Sequence, residues 1–367
     1  MSKIQLKDIC CFSKGSQING DELIDNGEYD YLNGGINPSG KWSDFNVSGG
    51  TITISEGGNS CGYVNYMPAP FWCGAHCYYL YDLRCEVKYL YYALKSQQDR
   101  IMKLRSGACM PNIKKSDIGS FTFEYTEDTS VQHIIVSNLD KVTHTIDLCN
   151  AILEKLDLLV KSRFVEMFCG TNDWKYVHIQ DICTDMRTGP FGSALHHDEF
   201  VDSGVFVLGI DNAVENEFSY NRMRYITEAK YQQLKRYTVK PLDVIITIMG
   251  TVGRSAVIPI DIPLAINTKH LACLTLDRNL ANSTFIAKAI QIHPELLSQL
   301  SLNSKGAIMD GLNLTIIKGL KFRLPPIALQ EQFAAFVEQT DKSKLAVKQV
   351  LERAETLKKA LMQEYFG

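Results

Sequence analysis

Three groups of residues carry side chains able to break bonds or hold a metal. Cys73, His76 and Cys77 bring two thiols and an imidazole into one short stretch. A structural zinc needs four such ligands, usually as two pairs, and no second pair follows this one. The flanking Phe71-Trp72 and Tyr78-Tyr79 suit buried thiols better, so no metal is expected. Asp82, Glu86 and Lys88 have the composition of a metal-dependent nuclease triad, but they read as solvated charges at a strand-to-helix junction. His76 and His270 could serve catalysis only beside a thiol nucleophile, and the cysteines of the two halves fall at unmatched positions. Gly57-Gly58 and Gly250-x-x-Gly253 are too short for a dinucleotide loop and precede strands, not helices. The chain has no Gly-x-x-x-x-Gly-Lys-Ser/Thr loop and no Asn-Pro-Pro-aromatic run. No catalytic residue and no cofactor are expected.

The elements around these residues repeat. Apolar or tolerant residues at Ile135, Leu139, Val142, Ile146, Cys149, Leu153, Leu156 and Val160 recur in steps of three and four, the seam of a helix packed lengthwise on another. The spacing predicts a helix over 131–168. A second, over 329–366, carries the seam Phe333, Phe336, Thr340, Ser343, Val347, Val350, Ala354, Leu357 and Leu361. Before each helix lies a β-rich region. Hairpins are expected at Thr51–Ile54 with Tyr63-Val64, and at Val244–Ile248 with Ser255–Ile258. A strand then follows His76 or His270, a helix covers 87–104 or 283–300, and a last strand runs at Phe121–Phe123 or Leu320–Phe322. The turn-rich segments Asn33–Gly40 and Arg187–Ser193 hold corresponding places but align poorly. The order recurs at a shift of roughly 170 to 200 residues, the sign of an internal repeat. Pro325 and Pro326 stop the last strand before the second helix, whereas Asp128, Thr129 and Ser130 can cap the first.

The expected fold class is α+β: two mixed α+β domains, separated and joined by two long antiparallel coiled-coil helices in a pseudo-twofold repeat. The boundaries are 1–130 for the first domain, 131–170 for a central helical spacer, 171–327 for the second domain and 328–367 for a distal helical region. A chain of 367 residues is long enough for two cores. No apolar run approaches the roughly 18 residues of a membrane span. The N-terminus is not a signal peptide, and the odd, scattered set of 11 cysteines reads as reduced thiols; a cytoplasmic protein is expected. The net charge of −3 means that any nucleic-acid binding must come from local patches.

Four stretches in this order resemble a known family: Asn33–Gly40; Gly189-Pro190-Phe191-Gly192-Ser193; Leu324-Pro325-Pro326-Ile327-x-x-Gln330; and the helix ends Arg163–Phe168 and Leu361–Phe366. Together they are similar to the specificity subunit of a Type I restriction–modification system, over essentially the whole length. The first helix lacks the Pro-Pro of the second. The resemblance implies two target-recognition domains, a bipartite target in double-stranded DNA with one half-site per domain, and no chemistry in this subunit. The partners it implies are two methyltransferase subunits and, in a restriction complex, motor–nuclease subunits. Arg and Lys can bond guanine edges or phosphates, Asn suits adenine, and Gly-rich turns let backbone N–H approach phosphate. On these grounds Asn37, Ser39, Lys41, Trp42, Asn59, Ser60 and His76 are expected to contact DNA from the first domain. Arg187, Thr188, Phe191, Ser193, Thr247, Thr251, Arg254, Lys269 and His270 are expected to do so from the second. The runs Arg100-x-x-Lys103-x-Arg105 and Arg222-x-Arg224 could clamp phosphates. Phe164, Phe168, Phe336 and Phe366 are expected to dock the methyltransferase subunits. The competing reading is a two-domain protein-binding scaffold that does not read DNA.

Overall fold

The computed structural model describes residues 2–107, 111–170, 173–191, 194–304 and 312–367. The chain divides into two units, Met1–Ala151 with Lys348–Gly367, and Ile152–Val347. Among the described residues, nine strands build the first: β1 (Ser2–Gln5), β2 (Cys11–Lys14), β3 (Tyr29–Leu32), β4 (Gly40–Trp42), β5 (Thr51–Ser55), β6 (Val64–Met67), β7 (Phe71–Cys73), β8 (Cys77–Tyr81) and, after the helices α1 (Val87–Ser96), α2 (Gln98–Met102) and α3 (Lys115–Gly119), β9 (Thr122–Tyr125). They form a four-stranded sheet β2-β8-β5-β6, a three-stranded sheet β4-β3-β7 and the pair β1-β9. Alternation explains why the four-stranded sheet is buried on both faces. Ile52, Ile54, Tyr78 and Leu80 point into a core shared with α1. Cys77 and Tyr79 point the other way, to Leu32, Val47, Phe71 and Cys73. The two thiols of the Cys-His-Cys stretch are thus core side chains.

The second unit repeats this plan. Its strands are β10 (Tyr176–His178), β11 (Cys183–Thr188), β12 (Val205–Leu208), β13 (Tyr225–Ile226), β14 (Val244–Thr247), β15 (Ser255–Val257), β16 (Ala265–Asn267), β17 (Leu271–Leu276) and β18 (Lys321–Arg323). The sheets β11-β17-β14-β15, β13-β12-β16 and β10-β18 have the same strand order as those of the first unit. In both three-stranded sheets one pair is parallel, β3 with β7 and β12 with β16. A short helix, α5 (Glu228–Leu234), follows β13. The helices α6 (Ser283–Ile292), α7 (Pro294–Ser304) and α8 (Leu314–Gly319) stand where α1, α2 and α3 stand. The single helices expected over 87–104 and 283–300 are therefore each two. Pro294 breaks the second, because its ring cannot continue the helix before it. Gln97 ends the first, and its amide is bonded to the carbonyls of Phe366 and Gly367.

Each domain leads into a 40-residue helix, α4 (Thr129–Phe168) and α9 (Ile327–Phe366). Asp128 caps α4, its carboxylate accepting from the N–H of Ser130 at 2.9 Å. A glutamine anchors each start. Gln132 accepts from the N–H of Glu86 and donates to the carbonyl of Thr126. Gln330 accepts from the N–H of Asn282 and donates to the carbonyl of Pro325. Both glutamines are buried. Each clasps the N-terminus of α1 or α6 to the strand-to-helix junction, so the duplication extends to single hydrogen bonds.

The start of α4 and the end of α9 belong to the first unit, and the end of α4 and the start of α9 to the second, an antiparallel arrangement. The α4 seam is buried or half-buried at all eight expected positions. The α9 seam departs from expectation: Val350 and Leu357 are exposed, while Val337, Lys344, Leu351 and Lys358 turn inward. The four-residue step falls after Val347, not after Val350, and the aliphatic stems of two lysines take inward positions.

Candidate nucleic-acid interface

In the first unit, three turns meet beyond the ends of β3, β5 and β7. The hydroxyls of Ser55 and Ser60 both donate to the carbonyl of Gly34, that of Ser60 at 2.6 Å. Gly34 has φ +83°, and a Cβ there would lie 2.4 Å from the carbonyl oxygen of His76; only glycine lets these turns close. The N–H of Glu56 donates to the carbonyl of His76. The buried Glu56 carboxylate pairs with Lys14 and lies 3.7 Å from Nδ1 of His76. Asn37, Asn59 and the His76 ring are exposed around this knot. Ser60 is committed to it. Ser39 is exposed but directs its N–H and hydroxyl to the carbonyl of Tyr31. Lys41 pairs with Asp30 at 3.1 Å across β3 and β4. Trp42 lies opposite Tyr29, at the end of β3 away from the turns, with its ring edge-on to Trp72.

Strand register gives the counterparts in the second unit. Thr247 stands where Ser55 stands and His270 where His76 stands. Arg254 answers to Tyr63, since Ser255 and Val64 hold the same place opposite the hairpin strand. The N–H of Ile248 donates to the carbonyl of His270, as that of Glu56 does to His76. The register also corrects the pairing of loops. Gly189 matches Gly15, each just after the second strand of its unit. A Cβ on Gly15 would meet the carbonyl of Cys73, and one on Gly189 the carbonyl of Asn267 at 2.2 Å. The segments at 33–40 and 187–193 align poorly because they are not equivalent.

Two expected readers in this unit are structural. Arg187 is buried, its guanidinium held by Asp243 and Asp185, each at 2.7 Å, and by the carbonyl of Thr238. Thr247 is fully buried, its hydroxyl bonded to the carbonyl of Thr251 and accepting from the N–H of Arg254. Neither has a face to offer a base. Thr188 is half-buried; Phe191, Thr251, Arg254 and Lys269 are exposed. Ser193 lies outside the described residues.

Beside His270 opens a cleft of about 350 Å³, walled by His197, Phe200, the 209–211 turn, Arg222, Arg224 and Thr268. Arg224 pairs with Asp211, and this bond holds the Asp211 carboxyl below its ordinary range. Burial, then the charges of Lys269 and Arg224, push the His270 imidazole below its ordinary value, so it is neutral at pH 7. The sequence flagged the arginines only as a phosphate clamp and missed Asp211, which lies 13 positions from Arg224. The other basic run has structural work at Arg100, bonded to Gln97 and the carbonyl of Thr122. Among the described residues no group of three or more His, Cys, Asp or Glu could hold a metal.

The phenylalanines expected to dock partners are mostly internal. Phe164 and Phe168 pack on Phe285 and Phe333. Phe366 is buried on Tyr89 of α1, the residue equivalent to Phe285 of α6. Phe336 is half-buried against the second core. A helix end must bury its last aromatic to be held, and these do so within their own units. Exposed apolar side chains of α4 include Ile134 and Leu148 in the first unit and Ile152, Leu158 and Leu159 in the second.

Comparison with known proteins agrees with this layout. The sequence matches the family described as "Type I restriction modification DNA specificity domain" over residues 1–158 and 171–356. It is 29% identical over 215 residues to a protein named as a type I specificity subunit of Mycoplasma genitalium, covering 54% of this chain and 56% of that one. It is 35% identical over 144 residues to one of Mycoplasma pneumoniae, 38% of each chain. These alignments span about half or less of the curated relatives' length. The crystal structure of a type I restriction–modification S subunit from M. genitalium has a TM-score of 0.72 to this chain at 21% identity, covering 100% of this chain and 96% of that one. A chain from a structure on assembly of the type I R-M system has a TM-score of 0.57 at 12% identity over 99% of this chain and 96% of that one. Two matched regions cover nearly all of the sequence, each holding one of two β-rich domains with the same strand order, and the chain therefore belongs to the type I restriction–modification DNA specificity family.

Proposed function

We propose that this chain is the DNA-reading subunit of a type I restriction–modification complex, with 1–130 and 171–327 as its target-recognition domains. One observation carries the reading: the same loop edge occurs twice, on identical sheet topology, with different side chains at matched positions. At the exposed edge Tyr63 answers to Arg254, whereas His76 and His270 are alike. Two scaffolds of one shape with unlike readers suit a bipartite target, whose half-sites are separated by base pairs that nothing reads. Asn37, Asn59, His76, Thr251, Arg254, Lys269 and His270 contact DNA in this reading. Methylation is carried by two methyltransferase subunits, and cleavage by motor–nuclease subunits where these are present. The absence of nucleotide-binding and base-methylating motifs supports a non-catalytic role. The exposed apolar residues of α4, not its buried phenylalanines, are the docking candidates. No described helix is long and apolar enough to cross a membrane, in keeping with a cytoplasmic complex.

The test is to exchange residues 171–327 for the equivalent domain of a relative and to sequence the methylated motif in cells that hold the methyltransferase. One half of the motif should change and the other stay. A change in both halves by a folded chimera would sink the reading. The net charge of −3 favours the second reading, a protein-binding scaffold. That reading requires the assembled complex to show no salt-dependent shift of duplex DNA.

A further inference from the structure

The cleft beside His270 holds an arginine and an aspartate in one fixed arrangement. Arg224 and Asp211 flank the long connection between β12 and β13, residues 209–224, whose counterpart between β3 and β4 is only residues 33–39. Among the described residues, the first unit has no equivalent pair. Gly209 makes the arrangement possible, because a Cβ there would lie 2.5 Å from Nη1 of Arg224. Nη1 thus lies against the bare backbone of Gly209. One of its nitrogens, Nη2, is bonded to Oδ2 of Asp211. Among the described residues, Nε and Nη1 of Arg224 show no further hydrogen-bond partner. The carboxylate is ionised at neutral pH, since the arginine lowers its pKa.

Nε–H and Nη1–H lie on different edges of the guanidinium, but Nη1 shares its outer edge with the second hydrogen of Nη2, and that edge offers two parallel donors beside the Asp211 acceptor. A phosphate is a poor occupant, because it would meet the carboxylate. In the major groove guanine offers two acceptors, O6 and N7, and its cytosine offers the N4 amino donor. An A·T pair fits worse: adenine offers N7 alone as acceptor, and the O4 of thymine would face the carboxylate. The geometry points to Arg224 and Asp211 as joint readers of one G·C base pair in the half-site of the second domain. Neutral His270 adds no competing charge. The inference rests on the DNA-recognition reading and names a base pair within it.

The test uses the full chain in complex with its methyltransferase subunits and labelled duplexes in which each base pair of the motif is changed in turn. In the wild type, one G·C position in the second domain's half-site should discriminate by about 5- to 150-fold. Arg224→Lys and Asp211→Asn should each flatten that position and leave the other half-site and the salt slope unchanged. Both side chains are partly exposed, 23% and 40%, so the fold should survive, and a thermal melt checks it. Unaltered preference in both folded variants overturns the inference. So does even weakening across all sequences with a salt slope reduced by about one unit, the mark of a phosphate contact. Either result leaves DNA recognition standing. A wild-type complex with no sequence preference overturns both.

Discussion

At the residue scale, side-chain chemistry alone selected candidates whose fates diverged. Arg187 and Arg254 looked alike in the sequence, each beside a glycine-containing turn. Arg254 is exposed, whereas Arg187 is clamped to Asp243, which is 56 positions away. Its environment could not be seen locally, because the pairing follows from β11 lying on β17 beside β14. Removing one member of a buried pair leaves the other charge stranded. Arg187→Ala should therefore cost on the order of 3–5 kcal/mol in urea denaturation and leave the recognised motif unchanged in whatever protein still folds. A motif altered at normal stability would restore Arg187 as a reader. The exposure of Asn59 was legible for a simple reason: a polar residue beside Gly57 and Gly58 has little else to bond to.

At the element scale, the long helices were legible and their details only partly so. The α4 seam followed the apolar spacing. The α9 seam did not, because lysine stems at Lys344 and Lys358 fill inward positions that a search for apolar residues passes over. Lys344 sits there with Asp157 at 2.5 Å and Asp341 at 3.6 Å. Gln330 stood in the sequence as part of the Leu324–Gln330 motif, but its pairing with Gln132 and the bonds both make were not visible without the strand register. Another matched position yields a prediction. Gln97 closes α1 where His293 closes α6. His293 lies against Phe164 and Phe322, and burial pushes its pKa down. Below about pH 6.5 the unfolded chain takes up a proton that the folded imidazole refuses. Stability should therefore fall as pH drops through that value toward the lower folded pKa, by at most about 1.4 kcal/mol per pH unit from this one proton. His293→Gln, which installs the residue of the matching position, should flatten the decline in urea midpoint between about pH 7 and 5.5. An equal decline in the variant would assign it to other groups.

At the scale of the whole molecule, duplication was legible from the order of elements, because hydrophobic period and turn chemistry survive where individual side chains do not. The loop contacts were not, since the two units differ in loop length and the register had to be seen. The helices carry a further consequence. Each is 40 residues long, starts in one unit and ends in the core of the other, with Phe168 on Phe285 and Phe366 on Tyr89. If the central helix sets the gap between half-sites, it cannot do so alone. Four residues added near Lys155 lengthen α4 by roughly 6 Å and turn its C-terminal part by about 40°, close to the 35° twist of one base pair. Added near Ala346 of α9 as well, they should lengthen the unread gap by one base pair, as methylated-motif sequencing would record. An active double insertion with the old gap would dismiss the helices as the ruler. Added to α4 alone, they should pull Phe366 from its seat on Tyr89 and lower the melting temperature. Each helix is thus shared between both cores, so inherited length changes should come in matched pairs: a lineage that lengthens one helix must lengthen the other or unseat the aromatic that fastens a C-terminal end.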